Sequence, residues 1–297
     1  MLGGLITLCW KPTGRMVQNL SPLVKGEAPP PATIFISAIQ ILIMPAVMIP
    51  STFSAEERSQ LLRTYKIGEL ARAFTIFGVD RVVIYFDKDE KVDSRKLGDY
   101  IKLVLEYANT PQYLRKRLYP LEKEMRYFGV IPALRAPHHP LKHEKVRYRQ
   151  GLVLEDGSVD VGLDRPVRVG GKVREGEVVN VDMERLEVVE KPSNGYWGYE
   201  VEWNGKGLEE EVKRLRKRYV IVGTSRLGED VRKVKNRIRN ENKDYLLVFG
   251  SPFRGLGEMV KENIFDYMVN FVPDQNVKTV RVEEAIFISL GIMNVIL

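Results

Sequence analysis

The chain has 297 residues, 44% of them hydrophobic and 29% charged, which is enough for one large or two modest domains with a real core. Its 46 Lys and Arg against 39 Asp and Glu give a formal charge of +7, which favours an anionic partner such as nucleic acid without specifying one. The single cysteine, Cys9, excludes an intrachain disulfide and a zinc site built on cysteines, and it indicates a reducing, cytoplasmic compartment.

The N-terminal residues 1–40 have no clear periodicity and are predicted to form a loose extension. The apolar stretch Thr33–Pro50 approaches membrane-spanning length, but Pro45 would break a helix there. We therefore expect a buried strand over residues 43–49. A membrane-anchored protein is a weaker alternative, and a signal peptide is disfavoured because the apolar run lies far from the terminus.

A strand–helix–strand unit follows the first strand. Ser54 and Glu57 have the spacing of a capping box and predict a helix to Phe77, which Gly78 is placed to end. The run Arg81–Phe86 is apolar and of strand length. This pattern is typical of a parallel sheet in an α/β protein.

Two more helices are predicted next, over Ser94–Asn109 and Pro111–Phe128, and Pro120 should break or kink the second. This second helix is strongly basic. Its cations include Arg115, Lys116 and Arg117.

Short strands and turns dominate residues 148–203, where Asp156-Gly157 between two apolar runs is a strong hairpin signal. A small all-β insertion of barrel type is expected there, and a β-meander that only decorates the main sheet is the alternative. The α/β alternation then resumes. Its predicted elements are strands over 219–222, 245–249 and 266–272 and helices over 230–239 and 282–294. The main domain is thus discontinuous, comprising residues 41–147 and 204–297.

Several common catalytic and metal-binding signatures are absent from the sequence. It contains neither a GxxxxGK[ST] loop nor a GxGxxG motif after the first strand, and it has no Ser-His-Asp or Cys-His signal. The three histidines, His138, His139 and His143, lie in the loop APHHPLKH with no cysteine nearby. We therefore expect no metal site.

Three loops near the C-terminus are more informative. They are Gly223–Arg226, Phe249–Gly257 and Val272–Asn276, and each follows a predicted strand. Because the carboxyl ends of parallel strands meet at one edge of a sheet, the loops should gather where α/β proteins bind ligands. Each loop alone would pass as an ordinary strand–helix turn.

Taken together, these segments resemble the SPOUT (trefoil-knot) methyltransferases, and specifically the archaeal and eukaryotic branch with the large-subunit rRNA uridine-N3 enzymes. The resemblance runs from Ile43 to the end of the chain. It is carried by LRTYKIGELARAFTIFGVDRVVIYFD, the APHH loop, LVFGSPFRGLGE and VNFVPDQNVKTVRVEEAIFISLGIMN. It implies an α/β fold with a knotted parallel sheet, an OB-like insertion, a homodimer, and no membrane or metal.

The resemblance also implies site residues. S-adenosyl-L-methionine would be bound by the three loops, at Thr224, Arg226, Gly250, Gly255, Asn270, Gln275 and Thr279. Arg72, in LARAFTIFGVD, resembles the arginine that related enzymes place at the reacting nucleotide. The RNA surface is expected to comprise the inserted domain with Arg115, Lys116, Arg117, His138, His139, Arg147 and Arg149.

The expected activity is S-adenosylmethionine-dependent methylation of RNA, at uridine N3 in rRNA. The imide proton must leave, and an arginine such as Arg72 would stabilise the negative charge that develops on the flanking carbonyls. Carboxylates that could accept the proton are Asp274, Glu283 and Glu284, although carboxylates at helix ends are usually capping groups. The alternative is a non-catalytic RNA-binding ribosome-assembly factor that retains the fold.

Overall fold

The computed structural model describes residues 45–120, 122–192, 195–260 and 263–297, so the extension predicted for residues 1–40 lies outside the described residues. In chain order the elements are β1 (Ala46–Pro50), α1 (Gln60–Ile76), β2 (Arg81–Phe86), α2 (Ser94–Asn109), α3 (Gln112–Leu118), β3 (Tyr148–Val153), β4 (Val159–Asp160), β5 (Val178–Asp182), β6 (Glu187–Val189), β7 (Glu200–Gly207), α4 (Leu208–Leu215), β8 (Tyr219–Asp230), α5 (Val231–Arg239), β9 (Asp244–Val248), α6 (Leu256–Met259), β10 (Tyr267–Asn270) and α7 (Val282–Ile296).

The main sheet has six strands in the order β10-β8-β9-β1-β2-β7, and all of its strand pairs are parallel. Central strands of such a sheet are covered on both faces and are therefore apolar throughout, as all five residues of β1 are. One face packs, through residues such as Val47, against α1, α2, α5 and α7. The other packs, through residues such as Met48, against α4 and α6. The predicted α/β class with a parallel sheet is confirmed.

The start of α1 differs from the prediction. Ser59 is the N-cap, because its hydroxyl accepts a hydrogen bond from the Leu62 amide at 3.2 Å. Ser54 lies in the preceding turn, fully buried, and its hydroxyl has no hydrogen-bond partner, so the capping box with Glu57 was wrong. The end was right, since Gly78 adopts a φ of +67° just beyond the helix.

The helix α2 spans the predicted residues, and Asp93 caps it by accepting a hydrogen bond from the Lys96 amide at 3.1 Å. The basic helix α3 is shorter than predicted. It ends at Leu118, two residues before Pro120, and the chain continues in 3-10 turns. Pro120 thus breaks the helix.

The inserted segment forms a separate antiparallel sheet with the order β4-β3-β5-β6. The predicted hairpin is confirmed, because Gly157 has a φ of +75° and the Ser158 amide donates to the Asp156 carboxylate at 3.0 Å. Buried valines, including Val159 and Val181, give this sheet its own small core. It docks on α3, where the Tyr113 hydroxyl donates to the Gln150 carbonyl at 2.8 Å.

The predicted end of the insertion at residue 203 was wrong. Residues 200–207 form β7, which pairs in parallel with β2 at the edge of the main sheet. Trp203 packs so closely on α2 that a Cβ on Gly98 would lie 2.5 Å from its ring. The helix α4 follows β7 directly and was not predicted.

The C-terminal elements α5, β9, β10 and α7 lie within a few residues of their predicted bounds. Strand β8 is longer than predicted, because beyond Gly223 it continues beside β10 through a shift in register. Among the described residues, no helix combines the length and apolar character that crossing a membrane requires.

Candidate functional site

A cavity of about 390 Å³ lies at the carboxyl ends of β9 and β10 and beside the middle of β8, where Thr224–Leu227 line it. All of the residues predicted from the three loops line it, namely Thr224, Arg226, Gly250, Gly255, Asn270, Gln275 and Thr279. The three loops are separate in sequence and meet because their strands are neighbours in one parallel sheet. This volume is within the range of small-molecule sites.

Side-chain to backbone hydrogen bonds hold the loops in place. The Thr224 hydroxyl donates to the Val248 carbonyl at 3.0 Å, which ties the first loop to β9. The Arg226 guanidinium donates to the Lys278 carbonyl at 2.9 Å, and the Asn270 amide donates to the Arg226 carbonyl at 2.9 Å. The first and third loops therefore form one continuous wall.

The third loop is stabilised from within. The Gln275 side-chain amide donates to the Val277 carbonyl at 2.9 Å, and the Asn270 side-chain oxygen accepts from the Val272 amide at 2.9 Å. Asn270 and Gln275 therefore shape the loop, whatever else they bind.

The two glycines of the second loop differ in what surrounds them. A Cβ on Gly250 would lie 3.0 Å from the Arg254 carbonyl oxygen and 3.2 Å from the Leu256 amide nitrogen, so a larger residue would displace the loop itself. A Cβ on Gly255 would meet only the Glu258 carboxylate, at 3.8 Å. A side chain at Gly255 is therefore tolerated by the loop.

A buried carboxylate braces the second loop. Asp87, 3% exposed just beyond β2, binds the Arg254 guanidinium, which also donates to the Lys88 carbonyl at 2.9 Å. The other oxygen of Asp87 accepts from the Thr52 hydroxyl at 2.5 Å. The loop is thereby joined to the ends of β1 and β2.

The cavity residues that the sequence did not identify as site residues include Phe253, Arg254, Glu258 and Lys278. Phe253 and Arg254 lie inside the predicted loop Phe249–Gly257, so their position in the sequence could have identified them as cavity residues. Glu258 is the one carboxylate among the described residues that line the cavity.

The three carboxylates suggested as proton acceptors bind other groups of the protein outside the cavity. Asp274 pairs with Arg232 at 2.8 Å. Glu283 pairs with Lys66 at 3.0 Å, and Glu284 accepts from the Arg281 amide at 2.9 Å as a helix cap. None of the three lines the cavity.

Arg72 does not line the cavity of its own chain. Its guanidinium donates to the carbonyls of Ala133 and Leu134, both at 3.0 Å, and so fixes the segment that precedes the APHH loop. Its role at a reacting nucleotide stays a prediction.

The residues predicted for RNA binding fall into two groups. Lys116, Arg117 and Arg147 are exposed, and the latter two pair with Asp160 at 2.9 Å and Asp182 at 3.0 Å. Arg115 is half-buried. It donates to the carbonyls of Thr110 and Ala108, both at 2.9 Å, at the end of α2, and burial lowers its pKa.

Two of the predicted RNA contacts are corrected. Arg149 is 2% exposed, and it donates to the carbonyls of Leu141 at 2.7 Å and Glu144 at 2.9 Å. His138 is 0% exposed. Both side chains are interior groups that satisfy buried polar atoms, so neither reaches a ligand at the surface.

The paired histidines are neutral. Burial lowers the pKa of His138 to about 3 and that of His139 to about 4. The Nε2 atom of each lies near the Asn109 carbonyl oxygen, at 3.0 and 2.8 Å, and therefore carries the proton. Within the described ranges, no group of three or more His, Cys, Asp or Glu side chains could hold a metal ion.

Comparison with known proteins gives consistent matches. The family model described as "Putative RNA methyltransferase" matches residues 45–293. The "28S rRNA (uridine-N(3))-methyltransferase" of Drosophila melanogaster is 30% identical, over 83% of this chain and 61% of its own length. The enzyme of the same name from Mus musculus is 28% identical, over 83% of this chain and 74% of its own length.

An uncharacterized protein of Halobacterium salinarum is 31% identical, over 83% of this chain and 97% of its own length. The chain therefore spans nearly all of this archaeal relative but only about three fifths of the fly protein. Among solved structures, the SpoU methyltransferase AviRb from Streptomyces viridochromogenes in complex with AdoMet is 12% identical, with a TM-score of 0.34, over 86% of this chain and 57% of that one. Since the family model matches residues 45–293, the chain belongs to this RNA methyltransferase family.

Proposed function

We propose that the chain is an S-adenosylmethionine-dependent methyltransferase that acts on RNA. The observation that carries the proposal is the convergence of seven residues from three loops on one cavity of about 390 Å³. The residues that the family resemblance implies for cofactor binding therefore line a single cavity.

The cavity fits the cofactor. Its walls combine glycines, which let backbone approach a ligand closely, with exposed backbone at strand ends and apolar side chains such as Leu256 and Phe271. When bound, the cofactor supplies the reactive methyl group, and the protein supplies orientation and electrostatics. The loops Thr224–Arg226, Gly250–Gly255 and Asn270–Thr279 would hold it.

We propose uridine N3 of large-subunit rRNA as the acceptor, by analogy with the printed names of the fly and mouse relatives. The imide proton must be removed before or during transfer. Glu258, on the cavity wall, is the carboxylate best placed to accept it, in preference to Asp274, Glu283 and Glu284. Lys278, a cation that also lines the cavity, would stabilise charge on the uracil carbonyls, whereas Arg254 is paired with Asp87.

Two finer features of the fold belong to the same proposal. We infer, from the family resemblance, that the C-terminal segment is threaded as a trefoil knot. We also infer that the insertion is an OB-like barrel, which its antiparallel sheet and separate valine core support.

A homodimer would complete the site. Large apolar side chains are exposed on α1 (Leu62, Tyr65) and on α7 (Ile288, Val295), two helices of one layer, and such patches mark interfaces. Arg72 lies on the same helix as Leu62 and Tyr65. Because it does not line its own cavity, a catalytic Arg72 requires the cavity of the second subunit.

Calorimetry tests the cofactor site. Wild type should bind S-adenosylmethionine, and Gly255→Val should lose binding while it keeps its circular dichroism and thermal transition, because the loop itself tolerates the side chain. Gly250→Val should lose binding through displacement of the loop. Unchanged affinity in both variants would refute the site, and no binding by wild type would favour the assembly-factor alternative.

Nucleoside analysis tests the acceptor. Unmodified large-subunit rRNA incubated with the protein and the cofactor should yield 3-methyluridine on mass spectrometry. A different methylated nucleoside would support the methyltransferase activity and refute uridine N3 as the acceptor.

A further inference from the structure

An aromatic side chain is exposed at the rim of the cavity. Phe253 is 53% exposed, at the tip of the second loop. Burying a phenylalanine ring is worth about 1.5–3 kcal/mol, so leaving one in water beside a binding cavity requires an explanation. The two other exposed apolar residues of these loops, Leu227 and Val277, are aliphatic.

The backbone of Phe253 is held rigidly. The Ser251 hydroxyl accepts from the amides of Phe253 at 3.3 Å and Arg254 at 3.1 Å, and the Ser251 amide donates to the Arg254 carbonyl at 3.0 Å. The Arg254 side chain is in turn bound to the buried Asp87. An exposed ring on a braced loop loses little conformational freedom when it binds a partner.

The charges around the ring favour a nucleotide as that partner. Arg226 and Lys278 line the same cavity, against the single carboxylate Glu258 among its described residues, and the third cation, Arg254, is paired with Asp87. A flat apolar ring with cations beside it suits a planar base with a phosphate backbone.

We propose that Phe253 is the stacking platform for the target base, holding the uracil ring at the mouth of the cavity where the methyl group is delivered. The inference rests on the proposed function. Enzymes that act on a base commonly take it out of its stack and hold it against aromatic or apolar side chains. The loop Ser251–Gly255 would then serve both ligands, with glycine backbone towards the cofactor and Phe253 towards the RNA.

The test compares Phe253→Leu, which keeps apolar bulk but removes the aromatic face, with Phe253→Tyr, which keeps the face. Base–aromatic stacking corresponds to roughly 5- to 150-fold in affinity, so Phe253→Leu should lower kcat/KM for unmodified large-subunit rRNA within that range. Phe253→Tyr should stay within about threefold of wild type. The affinity for S-adenosylmethionine and the sedimentation coefficient should be unchanged in both.

Three results would overturn the proposal. Wild-type kcat/KM in Phe253→Leu would show that the aromatic face is not used. Reduced cofactor affinity in Phe253→Leu would assign the ring to the cofactor site, and a shift of its sedimentation towards a smaller species would assign it to contact with a second copy.

A cross-linking measurement separates this proposal from the proposed function. An oligouridylate that carries 5-iodouridine should photo-cross-link to the peptide containing Phe253, and Phe253→Leu should remove that cross-link. This readout needs no methyl transfer. A cross-link at Phe253 in a protein that transfers no methyl group would support stacking and refute the enzymatic function, whereas cross-links confined to the inserted domain would refute stacking.

Discussion

Glu258 is the residue on which the proposed proton transfer depends, because it is the carboxylate on the described cavity wall. Glu258→Gln removes the base but keeps the size of the side chain. General-base catalysis contributes about 10²- to 10⁴-fold, so the rate of methyl transfer in single-turnover assays should fall within that range. Cofactor affinity measured by calorimetry should stay within about threefold.

Asp274→Asn provides the comparison for Glu258→Gln. Asp274 is a carboxylate of the third loop, but it points to Arg232 and does not line the cavity. Its variant should transfer methyl groups at the wild-type rate. The reverse pattern, with Asp274→Asn inactive and Glu258→Gln active, would identify Asp274 and not Glu258 as the proton acceptor.

The buried histidine pair makes stability depend on pH. Burial lowers the pKa of His138 to about 3 and that of His139 to about 4, from a usual value of 6.5. The unfolded chain therefore binds more protons than the folded one between about pH 6.5 and pH 3–4. The free energy of unfolding should fall as the pH falls through that window, by up to about 1.4 kcal/mol per pH unit for each histidine.

Urea titrations at a series of pH values between 7 and 4.5 measure this slope. His143→Gln is the control, because His143 is exposed in the same loop, and its slope should match wild type. His138→Gln should have a smaller slope. An unchanged slope in His138→Gln would contradict the burial of a neutral imidazole.

The cavity residues could be predicted from sequence, whereas the burial of individual charges could not. The carboxyl ends of parallel strands meet at one edge of a sheet, so loops such as Gly250–Gly255 had a predictable place. Arg147 and Arg149 look alike in sequence, yet only Arg149 is buried. Its partners are carbonyls of Leu141, Glu144 and Val161, whose positions depend on tertiary structure.

At the scale of elements, we propose that α3 and the inserted sheet together form the surface that binds RNA. Lys116 and Arg147 are exposed there. Lys116→Ala and Arg147→Ala should each weaken RNA binding, and each should reduce the slope of log affinity against log salt by roughly 0.7–0.9, the amount expected for one phosphate contact. Fluorescence anisotropy with labelled rRNA at several salt concentrations measures both quantities.

Lys213→Ala is the matched control for these variants. Lys213 is exposed on α4, on the opposite face of the main sheet from α2. The slope of log affinity against log salt for Lys213→Ala should therefore equal that of wild type. Equal slopes in all three variants and wild type would contradict the proposed surface. Deleting the insertion, which the β7 boundary limits to about residues 148–199, should likewise weaken RNA binding and spare cofactor binding.

The bounds of helices and strands were predicted well where local sequence signals determine them, as for α2 and β2. They were predicted less well where contacts between distant residues determine them. The sequence offers two serines for the start of α1. Ser54 is excluded because the preceding residues Ser51 and Thr52 are held in a turn by hydrogen bonds to Asp87, 35 residues away. No local pattern encodes such a contact.

At the scale of the whole molecule, the site is proposed to span two subunits, and mixing inactive variants tests this. Arg72→Lys loses the fork that binds two oxygens, and Gly255→Val loses cofactor binding. Each homodimer should transfer methyl groups at least about 10²-fold more slowly than wild type. Mixed dimers contain one site with both defects and one with neither, so co-expression should restore up to about half of the activity per mixed dimer.

The activity of the mixture distinguishes a site that spans two subunits from a site within one chain. If Arg72 and the cofactor loop acted within one chain, every site in the mixture would carry one defect and no activity would return. Near-normal transfer by the Arg72→Lys homodimer would remove Arg72 from the mechanism altogether. Purification of the co-expressed pair through two different affinity tags in succession, one on each variant, isolates the mixed dimers.

The order of strands in the main sheet also has a consequence for biosynthesis. Strand β1 lies between β2 and β9, and β9 begins nearly 200 residues after β1 in the chain. The centre of the sheet is therefore incomplete until β9 has left the ribosome, and pairings over such separations form slowly. The cavity also needs α7, because Ser289 lines it. The cavity is thus assembled late in synthesis, well after the strands of the inserted sheet, which lie within residues 148–189, are available to pair.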